Sequence, residues 1–438
     1  MDRIPLEIIS KIADNLLEPA LQDNPHNPQH LLSGLPRGQT INWINYSSNS
    51  RRDICNLRLS SRMCYNASFK GFGDVIGDRR FRIAKVDLED LHAIAEACSL
   101  RPYLRTITFG NLRIKERHHD GNLRRTLDQA GGWEREDLLR ILESFHLNSK
   151  WSSQTNTKIH TEFLTTILRK LTSLRIIRIV DDDYLQFSAG FASRPRHYYR
   201  HTMYDSAMGS LEALNPLFHA FSRAGSRIHH LWIGDAETGC GYLQIPLEIN
   251  PFCHLRTLRL NLNPSQLEPG TAKNTPWLKF LASLPNLTNL MLHLRLDTWY
   301  ELNELLEASR MFLEAVSAHS SLEKITLKGH WNLTQDDLVK LVRSCSPRLV
   351  DLVIWQSCLQ GGSWIDTVGL ISQLYLPRMQ SLQVVNPLEY HAHNSGVGIP
   401  MSALNATFQE AELRNLADRV SYMIGIYTFE GIYIFNSD

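Results

Sequence analysis

One six-residue pattern recurs eight times along the chain: an apolar residue, two others, a second apolar, one other, and a third apolar. Its apolar triplets are Leu104/Ile107/Phe109, Leu174/Ile177/Ile179, Ile228/Leu231/Ile233, Leu255/Leu258/Leu260, Leu287/Leu290/Leu292, Leu322/Ile325/Leu327, Leu349/Leu352/Ile354 and, weakly, Met379/Leu382/Val384. Successive units start 70, 54, 27, 32, 35, 27 and 30 residues apart. The last five intervals are nearly regular, and the first two are wide enough to hold an insertion or a further unit. Self-similarity at such a period marks stacked supersecondary units, none of which can bury its apolar face alone. The pattern therefore constrains the fold before composition is considered.

Helical segments lie between the units. Apolar residues recur at helical spacing over 137–147, 301–318 and 336–345, and Thr334 is placed to cap the last of these. The unit reads as one short strand followed by one helix. It resembles a leucine-rich repeat of the long, irregular kind, although only Asn261 sits where regular repeats carry their asparagine. An ordinary α/β domain with a parallel sheet shares the periodicity and is the lesser alternative.

Side chains alternate across a strand. If the apolar triplet faces the core, the fifth and seventh positions of each unit face the other surface. In a solenoid that surface is the usual binding face. Trp232 and Arg259 from the fifth column, Met291 beside them, and His293 and Trp355 from the seventh are the residue types that anchor interfaces. They are the candidate substrate-binding residues. The competing expectation is that the C-terminal tail simply covers several of them.

The N-terminus carries two amphipathic pieces. The first, residues 4–16, begins Ile4-Pro5 and places Ile8, Ile9, Ile12 and Leu16 on one stripe, with Glu7 in the first turn. The second, residues 53–67, holds Ile54, Leu57 and Leu59, with Arg58 and Arg62 four apart on an expected polar side. Short helices such as these bury too little to stand alone and need a partner. Between them, 17–52 is rich in Asn, Pro, Ser and Gln and reads as a solvated insert.

Together the two pieces resemble an F-box, the helical module by which ubiquitin-ligase receptors grip the Skp adaptor. The resemblance covers about a seventh of the chain. This chain has Ile-Pro where the family has Leu-Pro, and about 35 residues where the family has a few. It implies contacts to a Skp adaptor through Ile4, Pro5, Ile8, Ile9, Ile12, Ile54, Leu57 and Leu59, and through that adaptor to a cullin scaffold. The role implied is that of a receptor for a protein substrate, without chemistry of its own. The alternative is a non-catalytic repeat scaffold whose N-terminal helices only cap the array.

Composition bounds the other readings. The 438 residues carry a formal charge of +1, which supplies no broad field toward nucleic acid or acidic membranes. Seven scattered cysteines without a Cys-x-x-Cys pair fit a reducing, intracellular compartment. The charged N-terminus does not read as a signal peptide, and no run approaches the roughly 20 apolar residues that span a bilayer. The stretch 181–210 interleaves Arg194, Arg196, Tyr198, Tyr199 and Arg200 after three aspartates, and reads as a solvated or protein-binding loop rather than a nucleic-acid site. Cys240, Cys253 and His254 are too loosely spaced for zinc. No phosphate loop, nucleophile elbow or His-Glu-x-x-His occurs. No cofactor, metal, nucleic acid or membrane partner is therefore expected.

The expected organisation is α/β: an N-terminal helical F-box-like module over 1–75 with its insert at 17–52, then an irregular leucine-rich-repeat-like strand–helix solenoid over 76–390. A capping tail, 391–438, follows, with helical stretches over 404–424 and a hairpin composition over 427–435.

Overall fold

The computed structural model describes residues 5–17, 48–81, 85–110, 157–180, 215–233, 252–262, 276–294, 302–355, 357–385, 388–390, 399–400 and 406–409. Ile4, most of the 17–52 insert, the 137–147 helix, the 181–210 loop and most of the tail lie outside the described residues.

Each apolar-x-x-apolar-x-apolar unit ends in a strand. In chain order these are β2 (Thr106–Gly110), β3 (Ile176–Val180), β4 (His230–Ile233), β5 (Thr257–Leu262), β6 (Asn289–Leu294), β7 (Lys324–Gly329), β9 (Asp351–Trp355) and β11 (Ser381–Val385). They lie side by side in sequence order, all parallel. The two-residue β1 (Arg80–Phe81) adds to one edge, in parallel, and β14 (Ala406–Gln409) to the other, antiparallel. Sheet order that follows chain order, with a helix described in each connection except β4–β5, is the geometry of a solenoid. The fold is thus an irregular leucine-rich-repeat-like array.

The triplets do what their spacing predicts. Every one of their side chains, from Leu104 to Val384, is at most 4 % exposed, and all belong to one continuous core. Each buried aliphatic chain is worth roughly 1.5–3 kcal/mol relative to exposure, so the array is held by the triplets more than by any single contact. Returning helices cover the same face: Thr157–Lys170, Asn215–Ala224, Pro276–Ala282, Leu302–Ser317, Gln335–Cys345 and Trp364–Ser372. Thr334 caps its helix as expected, accepting the Asp337 N–H at 3.1 Å. Ser363 does the same for Trp364–Ser372.

A second, smaller sheet was not anticipated. After β7, β9 and β11 the chain turns into β8 (Asn332–Thr334), β10 (Cys358–Gln360) and β12 (Leu388–Tyr390), which pair in parallel, with β13 (Ile399–Pro400) antiparallel at the edge. These strands are three residues or fewer and carry too little periodicity to be read in sequence. Gly329 makes the first of these corners possible: its φ is +89°, and a β-carbon there would lie 2.1 Å from the Leu294 carbonyl oxygen. The tail likewise differs from its expected helical character at 406–409, where strand pairing to β11 wins over local propensity.

Among the described residues, four N-terminal helices precede β1: α1 (Leu6–Asn15), α2 (Ser48–Ser60), α3 (Arg62–Ala67) and α4 (Phe69–Gly77). Helix α2 starts at Ser48, so the last residues of the expected insert are already helical. The second amphipathic piece is broken in two at Ser61, whose extended backbone and hydroxyl cap α3 through the Cys64 N–H at 3.1 Å.

Candidate functional site

The two amphipathic pieces, separated by the insert in sequence, form one helical module. Ile9 packs with Cys64 and Ala67, and Ala13 with Ile54 and Val75. Ser10 donates to the Ala67 carbonyl at 3.1 Å, and Asp14 pairs with Lys70 at 2.8 Å. Arg58, expected on a polar side, is instead buried. Its guanidinium lies about 4 Å from the ring centroids of both Tyr65 and Phe72 and donates to the Tyr65 carbonyl at 3.2 Å. The turn at Ser61 brings these aromatics over it, and a weakly hydrated guanidinium stacked on rings tolerates burial better than an ammonium would.

This packing divides the expected adaptor contacts. Ile9 and Ile54 are buried in the module and unavailable to another protein in this arrangement. Leu57 is partly buried against the same core. Pro5 is exposed and forms the N-cap of α1, its carbonyl accepting the Ile8 and Ile9 N–H groups. Ile8 and Ile12, one turn apart, are 45 % and 44 % exposed, and Leu59 is 85 % exposed. Leu6, which the stripe did not include, is also exposed. Ile4 lies outside the described residues.

Helix α4 docks the module on the array. A β-carbon at Gly73 would sit 2.7 Å from the Tyr103 carbonyl oxygen, and one at Gly77 2.6 Å from that of Thr106. These two glycines, four apart, let the helix touch the backbone entering β2. At its end the Thr108 hydroxyl donates to the Gly77 carbonyl at 2.8 Å. Asp78 then receives Arg178 at 2.9 Å and Arg51 at 2.5 Å. Asp78, Arg51, Gly73 and Gly77 carry no motif that marks them in sequence. Glycines repeated within one short helix were the available signal, since Gly there costs about 1 kcal/mol unless close packing requires it.

The fifth-position column exists as a register. Thr108, Arg178, Trp232, Arg259, Met291, Thr326, Val353 and Gln383 sit opposite one another across eight strands. Asn261, His293, Lys328, Trp355 and Val385 form the neighbouring row on the same face where strands are long enough. The ring of Trp232 lies between Arg259 at 4.2 Å and Arg178 at 4.9 Å. Lys328 lies 5.2 Å from the Trp355 ring. Of the five candidate substrate residues, Trp232, Arg259 and Trp355 are buried, whereas Met291 and His293 are half-buried. Arg178 therefore serves to join the helical module to the array, and the accessible part of the column centres on β6 and β7.

Among the described residues no group of three or more His, Cys, Asp or Glu is placed to hold a metal ion. None of the described helices is long and apolar enough to cross a membrane. No family model matches the chain, and no curated protein matches it. Among solved structures the chain is similar to the leucine-rich repeat-containing protein LegL7 from Legionella pneumophila. The two share 15 % identity over 93 % of this chain and 97 % of that one, with a TM-score of 0.32. The parallel register and the strand–helix alternation themselves define the fold.

Proposed function

We propose that this protein is a substrate-recognition subunit of a Skp–cullin–F-box ubiquitin ligase, which selects a protein substrate and performs no chemistry itself. The observation that carries the reading is the condition of α1 and α2. Their inner residues Ile9, Ala13 and Ile54 are locked into a module docked on the first repeat, yet Ile8, Ile12 and Leu59 remain open to solvent. Large aliphatic side chains exposed on a well-packed module mark a protein-binding face when they cluster. Such anchors are each worth roughly 1.5–3 kcal/mol when buried in a complex. Ile8 and Ile12, one turn apart on α1, are the centre of the proposed adaptor-facing set; Pro5 and Leu59 belong to it through the F-box resemblance, with Leu6 added, while Ile9 and Ile54 shape the module from behind. The repeat column around Met291 and His293 is the proposed substrate face.

Co-purification with a Skp adaptor tests this. The Ile8→Asp/Ile12→Asp variant loses the adaptor while keeping its unfolding midpoint, because both residues are already near half exposed. Undiminished adaptor binding by that variant removes the proposed interface. One observation favours the second reading, a repeat scaffold with a helical cap: α4 covers the β2 end of the array directly. A cap alone has no use for an open Ile8/Ile12 face, and wild-type protein that fails to bind any Skp adaptor leaves this second reading in place.

A further inference from the structure

The helix-to-strand turns of the array stack through a repeating hydrogen-bond pattern. The carbonyl of the residue before each strand accepts two N–H groups from the next turn. Arg175 accepts from His229 and His230, His229 from Arg256 and Thr257, and Arg256 from Thr288 and Asn289, at 2.8–3.1 Å. Side chains at this position therefore repeat at about the 4.8 Å strand spacing. Across β3, β4 and β5 they are Arg175, His229 and Arg256. Arg227 precedes the His229 turn, and His254 stands 6.5 Å from His229, ring to ring.

This edge is cationic. The described residues 157–180, 215–233 and 252–262 hold nine lysines and arginines and a single acid, Glu162, although the whole chain carries only +1; of the nine, Lys170 pairs with Glu96 and Arg178 with Asp78, and the edge itself carries Arg175, Arg227 and Arg256. Arg175 is held by the Thr172 and Leu174 carbonyls, at 2.8 and 2.7 Å, not by a carboxylate. Arg227, His254 and Arg256 are exposed, and none of them pairs with a carboxylate among the described residues. Like charge is felt inside the cluster: after burial, the neighbours that lower the His229 pKa are Arg175, Arg256, His254 and Arg227.

We propose that this strand-entry edge of β3–β5 is a docking surface for an acidic polypeptide segment of a partner protein. Two strand steps put Arg175 and Arg256 roughly 10 Å apart. An extended chain with carboxylates on alternate residues places them about 7 Å apart on one face, so two or three acids reach the cluster. Arginine forks match carboxylates in bidentate geometry. A single-stranded nucleic acid fits less well, because such sites interleave cations with open aromatic platforms. Among the described residues the exposed large aromatics are Tyr65, Tyr103 and Tyr375, of which Tyr103 is stacked on Phe69 and none belongs to β3–β5. The surface is independent of the adaptor-facing helices, so its failure leaves the adaptor reading untouched, and the reverse.

The test uses the full chain and a fluorescent deca-glutamate peptide, with an oligouridylate ten-mer as rival, followed by anisotropy at about 50 and 300 mM salt. Saturable peptide binding that weakens with salt is expected. It falls at least tenfold in Arg227→Glu/Arg256→Glu and is unchanged in Arg348→Glu, an exposed arginine on another repeat. The neutral pair Arg227→Gln/Arg256→Gln gives a smaller loss and guards against a folding defect in the reversed pair. Absent peptide binding, an equal loss in Arg348→Glu, or tighter binding of the oligouridylate overturns the proposal.

Discussion

Asp78 and Arg178, a hundred residues apart in sequence, meet at 2.9 Å with both side chains almost sealed from water. The pair ties the end of the helical module to the second repeat. Arg51, from α2, closes on the other carboxylate oxygen but is about a third exposed. A buried pair of this kind is weak evidence for stability and strong evidence of vulnerability, because removing one partner leaves charge in a low-dielectric site. Asp78→Ala withdraws the carboxylate from both guanidiniums and is expected to cost about 3–5 kcal/mol. Arg51→Ala is expected to cost much less, since its charge is partly solvated. Urea unfolding of the two variants checks the order; equal losses contradict it.

Gly73 and Gly77 provide a prediction whose sign decides the issue. On helix propensity alone, Ala in place of either glycine gains up to about 1 kcal/mol. The close approach to the Tyr103 and Thr106 carbonyl oxygens says the opposite, because backbone atoms cannot move aside as a flexible side chain would. Gly77→Ala is therefore expected to destabilise, by at least about 1 kcal/mol. Hydrogen exchange should show the loss concentrated in α4 and β2. A stabilised variant means that the helix does not touch the strand entry as described.

The array was legible because its signal is redundant: eight triplets each report the same burial, and an error in one leaves the others. The side chains that build the junction carry no such repetition. Asp78 is one aspartate among many until Arg51 and Arg178 are brought to it in space. Arg58 shows a different limit. Its spacing to Arg62 reads as a polar helix face, but the break at Ser61 turns the chain so that Tyr65 and Phe72 cover it. The column across the strands was readable from alternation, whereas the burial of Trp232, Arg259 and Trp355 was not, since exposure depends on what packs above a face. Likewise the first apolar stripe predicts that Ile8, Ile9 and Ile12 share one side. Only packing shows that Ile9 turns inward and its neighbours do not.

That division gives a third prediction. Ile9→Asp places a carboxylate in the module interior beside Cys64 and Ala67, without a partner, and should lower stability by several kcal/mol. Ile8→Asp, one residue earlier and near half exposed, should change it by less than about 1 kcal/mol. Denaturant midpoints of the two single variants separate them. Similar losses would mean that the outer face of α1 is covered in solution, and the case for an open adaptor surface would weaken with it.

The pH dependence of stability follows chiefly from two half-buried groups with opposite signs. Burial, with help from His229 and Arg256, brings the His230 pKa down to about 4. Between that value and the ordinary 6.5 the unfolded chain binds more protons, so the stabilisation present above pH 6.5 is lost on acidification toward pH 4. The His230 contribution is bounded at about 3 kcal/mol, and is smaller in practice because the imidazole is partly solvated. Burial also lowers the pKa of His319, which adds in the same direction. Asp74 works against them. Burial raises it to about 6, so from pH 6 down to its ordinary 3.8 the folded chain holds a proton the unfolded chain releases, and acidification favours folding. Urea unfolding between pH 7 and 4.5 should therefore show a net loss that is shallower in His230→Gln and steeper in Asp74→Asn. At pH 7, Asp74→Asn should also be more stable than the wild type, because it removes a charge that burial disfavours. Parallel pH profiles for all three proteins would show that neither group is buried as described.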